Sequence, residues 1–146
     1  MKILLIDNGS PLQEPLRGAL RAHTVDVLGY PCVPSILLAR AGAAARVILS
    51  GSGAPLGVDL AYAKDILAAV RAIRVPVLGI GSGAALLLEA HGGKVKRTGG
   101  EFTVKRIPPG WREEGGVFMD DSGNAFVSGR APEWKAALDG FLSKKL

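Results

Sequence analysis

The chain has 146 residues, 48% of them apolar, and sets 18 Lys and Arg against 13 Asp and Glu for a formal charge of +5. That length suits a single domain, 1–146, with one well-formed core, and glycine, proline or charge interrupts every apolar run before the roughly 18 residues of a membrane span. The charges are scattered, without the clustering and interleaved aromatics of a nucleic-acid binder, so neither nucleic acid nor membrane is expected as a partner. The single cysteine, Cys32, excludes an internal disulfide and fits a reducing cytoplasm, as does a start, MKILLIDNG, without a cleavable signal pattern. One Gln and two Asn, with Arg above Lys, lean toward a thermophilic source.

Residues 2–6 (KILLI) form an apolar run ended by Asp7-Asn8-Gly9, a buried strand and a turn. Leucines at 12, 16 and 20 repeat every four residues and predict a helix over 11–22, with Ser10 as its cap and Pro11 in its first turn. Strands follow at Val25–Leu28 and Arg46–Leu49, separated by a short helix around 34–40. The second of them runs into Ser50-Gly51-Ser52-Gly53. Asp59 caps a helix over 60–72, Val75–Ile80 is a fourth strand, and Ser82–His91 a helix. This alternation predicts a parallel sheet covered on both faces. From Gly92 the pattern changes to short, turn-separated strands at Lys94–Val95, Phe102–Ile107, Val117–Met119 and Ala125–Ser128, expected to be antiparallel or at an edge. A closing helix, 132–143, carries Trp134 and Phe141 seven residues apart, on one face and turned toward the sheet.

The most informative stretch is Pro76–Gly93, PVLGIGSGAALLLEAHGG. A strand ends in a tight glycine-rich turn and a leucine-rich helix follows at once, the outline of a nucleophile elbow. Its apex is Gly81, which has no side chain to react.

The blocks MKILLIDNG, VILSGSGAP, PVLGIGSGAALLLEAHGGKV and FVSGRAPEW resemble the class I glutamine amidotransferases, and within them the stand-alone glutaminase subunit of archaeal GMP synthase. The resemblance runs through residues 1–97 and resumes near 126. It implies a flavodoxin-like three-layer α/β sandwich: a mostly parallel central sheet with helices on both faces. In that family the elbow reads G-I-C-x-G-H-Q and its cysteine attacks the glutamine amide, while a distant H-P-E supplies the histidine base and the glutamate that orients it. Carried onto this chain, the nucleophile falls on Gly81, the base on Ala131 and the orienting carboxylate on Glu133, with Pro132 retained between the last two. The histidine and glutamine after the elbow fall on Ala84 and Ala85. A thiolate needs its imidazole to form near neutral pH, and a carboxylate with nothing to orient does no chemistry alone. Glutaminase activity by the family mechanism is therefore expected to be gone. No cofactor and no metal are expected. The segment Gly99–Ala125 is shorter than the family's equivalent, which puts the usual partner-facing surface in question.

Substitute groups are few. Ser82 follows the apex, but one step along a turn redirects the side chain. His91 and His23 read as helix-end residues whose partly cationic rings suit the dipole. Cys32 reads as a small core residue, and Asp120-Asp121 as a turn before Ser122-Gly123, without the His or Cys partners of a metal site. The glycine-rich turns Gly51-Ser52-Gly53 and Gly81-Ser82-Gly83 form a candidate pocket for a small anion or carboxylate, or else simply let the backbone turn tightly.

Three readings follow. The first is a catalytically silent amidotransferase homologue with a binding, regulatory or structural role, its partner a synthetase-type subunit or a second copy of itself. The second is a competent glutaminase subunit of a GMP-synthase-type complex. The third is another hydrolase on the same scaffold, using Glu133, Ser82 or Cys32.

Overall fold

The computed structural model describes residues 1–7, 13–29, 33–50, 60–98, 101–127 and 133–143; the side chains of Ser82 and Glu133 are among those it does not describe. In chain order the first half alternates β1 (Lys2–Asp7), α1 (Gln13–Ala19), β2 (Thr24–Gly29), α2 (Pro34–Gly42), β3 (Arg46–Leu49), α3 (Leu60–Ala72), β4 (Val77–Ile80) and α4 (Ser82–Ala90). The second half runs β5 (Lys94–Thr98), β6 (Glu101–Arg106), β7 (Arg112–Glu114), β8 (Val117–Met119), β9 (Ala125–Val127) and α5 (Glu133–Ser143).

Seven strands form one sheet in the order β2-β1-β3-β4-β9-β8-β7. The first five run parallel, and β8 and β7 are added antiparallel at one edge. β5 and β6 make a separate antiparallel ribbon, with a register irregularity at Lys94/Val95. The expected three-layer α/β architecture is thus observed, and the 2-1-3-4 strand order is that of flavodoxin-like sheets.

Period-two alternation divides each strand between two cores. Leu4, Ile6, Val47, Leu49, Val77 and Phe126 face α2, α3 and α4, joined by Leu37, Ile66, Val70 and Leu87. Ile3, Leu5, Ile48, Leu78, Ile80 and Val127 face α1 and α5, joined by Leu16, Leu20, Trp134, Leu138 and Phe141. Both large aromatics of the closing helix therefore pack on the sheet. Because the parallel strands are covered on both sides, they read as continuous apolar runs. Each fully buried Leu or Ile contributes about 1.5–3 kcal/mol of transfer free energy.

Several expectations need correction. The first helix ends at Ala19; Leu20 closes it with backbone bonds to Leu16 and Arg17, and His23 lies beyond it, accepting from the chain amine of Met1 at 3.3 Å. Its predicted start, Ser10 and Pro11, lies outside the described residues, as do Asp59 and Cys32. The fourth strand begins at Val77, since Pro76 has no N–H for the ladder and offers only its carbonyl, which accepts from Val47 at 3.0 Å. β5 runs on to Thr98. β7 has no counterpart among the predicted strands: Arg-Glu-Glu carries no strand-like apolar pattern and is exposed throughout. Its only cue is Gly115-Gly116, where both residues take positive φ (59° and 83°) and close the hairpin to β8.

Candidate functional site

The elbow is built by three backbone demands. β4 delivers Ile80, wholly buried, to Gly81, whose φ of 61° and ψ of −124° turn the chain back into α4. Few side chains tolerate that conformation without strain, and glycine adopts it freely. The Gly81 N–H donates to Val127 O at 3.0 Å, so the turn is tied to β9, and the Gly81 carbonyl accepts from Ala84 at 3.0 Å to start the helix.

Gly79 and Gly83 then allow close approach. A Cβ on Gly79 would fall 2.7 Å from Ala84 Cα and 2.8 Å from Gly83 O, so the strand end and the helix it feeds are in backbone contact. A Cβ on Gly83 would fall 2.6 Å from the carbonyl carbon of Leu49 and 2.9 Å from Ser50 O. The start of α4 therefore lies directly on the carboxyl end of β3. Ser50, fully buried, is fixed there by its hydroxyl donating to Ile6 O at 2.6 Å and its N–H donating to the same carbonyl at 3.2 Å. The strand ends of β1, β3 and β4 and the helix start thus meet at one point, the region where open α/β sheets bind ligands.

Of the residues singled out from the sequence, Gly81 and Gly83 are at this point, with the backbone of Ser82 between them. Gly51, Ser52, Gly53 and Ala131 lie outside the described residues, and Glu133 opens α5. Ala84 and Ala85 are buried, Ala84 within the α2–α4 core.

Both histidines lie elsewhere. His23 precedes Thr24, the residue paired with Lys2 at the amino end of the parallel strands, whereas Gly81 is at their carboxyl end. His91 caps the far end of α4, ten residues and about 15 Å along the helix from Gly81. Its ring is half-buried against Trp111, with centroids 5.5 Å apart. Burial pushes its pKa below the ordinary value; Asp120 acts in the opposite sense and Arg71 in the same one. The expectation of a partly cationic ring there is corrected: burial disfavours the charged form.

One functional-looking residue has no place among the sequence candidates. Asn124, in the turn before β9, accepts from the Val77 N–H at 3.0 Å and donates to Asp120 at 3.0 Å. Asp120 in turn accepts from the N–H groups of Ser122 and Asn124. The Asp120-Asp121 turn is thereby a structural lock on the start of β4, and an Asp four residues before a lone Asn is its sequence signal. A groove of about 500 Å³ between α2 and α3 is lined by Val33, Pro34, Ser35, Leu38, Ala68 and Ala69, none of them titratable.

The model of the class I glutamine amidotransferases matches residues 4–130. The chain belongs to that family. Among solved structures, a Thermoplasma acidophilum protein assigned as one of the subunits of GMP synthase superposes with a TM-score of 0.70 at 13% identity, covering 87% of this chain and 82% of that one. A glutamine amidotransferase from Methylobacillus flagellatus superposes with a TM-score of 0.57 at 19% identity, covering 86% of this chain and 67% of the other. No protein of curated function matches the sequence. The chain presents a strand-turn-helix elbow at the carboxyl edge of its sheet, with glycine at the apex where the resemblance implies a cysteine. No helix among the described residues is long and apolar enough to cross a membrane.

Proposed function

We propose that this amidotransferase homologue works by binding and not by hydrolysing glutamine. The observation that carries the reading is Gly81 at the apex of a fully formed elbow, with a φ of 61° that suits glycine far better than any side chain. In an active member the strain of that turn would be borne by a reacting residue; here the turn persists with no atom to react. The positions of His23 and His91 at the opposite end of the sheet support the same reading, because a nucleophile needs its base within hydrogen-bond reach. The family base falls on Ala131, which cannot take a proton.

The binding role has two elements. The backbone N–H groups of Gly81–Gly83 at the start of α4 hold a small anion or carboxylate, together with the Gly51–Gly53 segment that follows β3 in sequence. The protein partner is a synthetase-type chain, a role supported by the likeness to the Thermoplasma protein assigned to GMP synthase.

The test is to incubate the protein with glutamine, alone and with a GMP-synthase-type synthetase, and to measure ammonia. No release is expected. Release would overturn the reading, and its loss in Cys32→Ala would identify an unforeseen nucleophile. Titration calorimetry with glutamate and phosphate tests the anion site; absence of heat and of any thermal shift would remove it.

A further inference from the structure

The β5–β6 ribbon stands apart from the main sheet and is apolar on one face only. Val95 and Val104 pack against the α2–α4 core. Lys94, Lys96, Lys105 and Arg106 are all exposed. Arg106 donates to Gly92 O, just before β5, at 3.0 Å. Lys94, Lys96 and Lys105 make no ion pair among the described residues. Four exposed cations on one short ribbon are a concentrated positive surface.

The opposite charge lies close by. β7 is the edge of the seven-stranded sheet, paired only with β8, and the side away from β8 has no strand among the described residues. Glu113 and Glu114 on it are exposed, as is Asp121 in the turn after β8, whose side chain is 94% accessible. Arg112 takes Glu114 at 3.2 Å and Asp121 at 2.8 Å, leaving three carboxylates to one guanidinium. No ion pair joins this edge to the ribbon within the chain, among the described residues. Only residues 107–111 separate β6 from β7, so the end of the basic ribbon and the start of the acidic edge lie within about 20 Å of each other.

We infer that the basic β5–β6 ribbon of one copy docks on the acidic β7 edge of a second copy, forming a two-fold dimer. A two-fold axis passing between two adjacent, complementary patches brings each ribbon onto the other's edge, making the contact twice and closing the assembly. Docking also covers a sheet edge that pairs with no further strand among the described residues. A second copy satisfies both patches at once, whereas a polyanion such as RNA would engage only the ribbon and be repelled by Glu113 and Glu114.

The experiment is sedimentation equilibrium of the full chain at about 0.1 M and about 1 M salt, across which the screening length falls from roughly 10 to 3 Å. A dimer is expected at low salt, with affinity at least about tenfold weaker at high salt. The K94E/K96E and E113K/E114K variants should each be monomeric, and their equimolar mixture should restore a dimer. The mixture also controls for folding, since two misfolded chains would not reassemble. A wild type that stays monomeric at low salt, variants that dimerise like wild type, or a mixture that remains monomeric would each overturn the inference.

Discussion

Gly83 rests against the backbone of Leu49, so close that a Cβ would fall 2.6 Å from the Leu49 carbonyl carbon. Neither side can yield: one is the first turn of α4, the other the end of a central strand buried on both faces. Gly83→Ala should therefore cost about 3 kcal/mol or more, the upper range for overpacking, because the obstacle is backbone. Gly140, exposed within α5, where an added Cβ would meet nothing within 4 Å, is the opposite case. Gly140→Ala should stabilise by about 0.5–1 kcal/mol. Urea unfolding of the two variants checks the opposed signs.

Gly81→Ala and Gly81→Cys should each destabilise by about 1–2 kcal/mol, since both force a side chain into a positive-φ backbone. Gly81→Cys should release no ammonia from glutamine, as the nucleophile alone lacks its base. Equal losses in the two variants, with no turnover, would show that the apex is limited by backbone strain and that the reaction needs more than its thiol. Turnover by the single cysteine variant would show that a base reaches the elbow, against the placement of both histidines away from Gly81.

His91 links stability to pH. Burial holds its folded-state pKa below the ordinary 6.5, so the unfolded chain binds the proton more readily. Stability from this group is full above about 6.5 and is lost as the pH falls through that value toward the lower folded-state pKa. Unfolding free energies should therefore decline on acidification more steeply in wild type than in His91→Gln, with the two profiles running parallel above neutrality.

Asn124→Ala removes an acceptor from the Val77 N–H and a donor from Asp120. Leaving that buried N–H unpaired should cost about 1–3 kcal/mol. The effect should localise: hydrogen exchange at Val77 and in β9 should accelerate more than in β1 or β2.

Much of the architecture can be read directly from residue order. The apolar runs of β1, β3 and β4 and the intervening helices specify a parallel sheet because such strands, covered on both faces, need no polar alternation. The turn chemistry of Gly79, Gly81 and Gly83 likewise announces an elbow, since few other residues permit that path. The absence of a thiol at its apex is a fact of sequence alone.

What the chain order could not express was decided by packing. Whether a histidine reaches the elbow depends on where the sheet places its two ends; the fold put His23 and His91 at the end away from Gly81. How readily His91 takes a proton depends on its burial and on Asp120 and Arg71, and Trp111, which packs on its ring, comes from beyond the β5–β6 ribbon in sequence. β7 forms because β8 and the Gly115-Gly116 turn hold it, while its own Arg-Glu-Glu has no burial to gain. Local patterning determined the strands, helices and tight turns, for these follow from backbone sterics and apolar period. Charge state, sheet edges and the separation of reactive groups were left to tertiary contacts, because desolvation and distance are properties of neighbours brought together from remote segments.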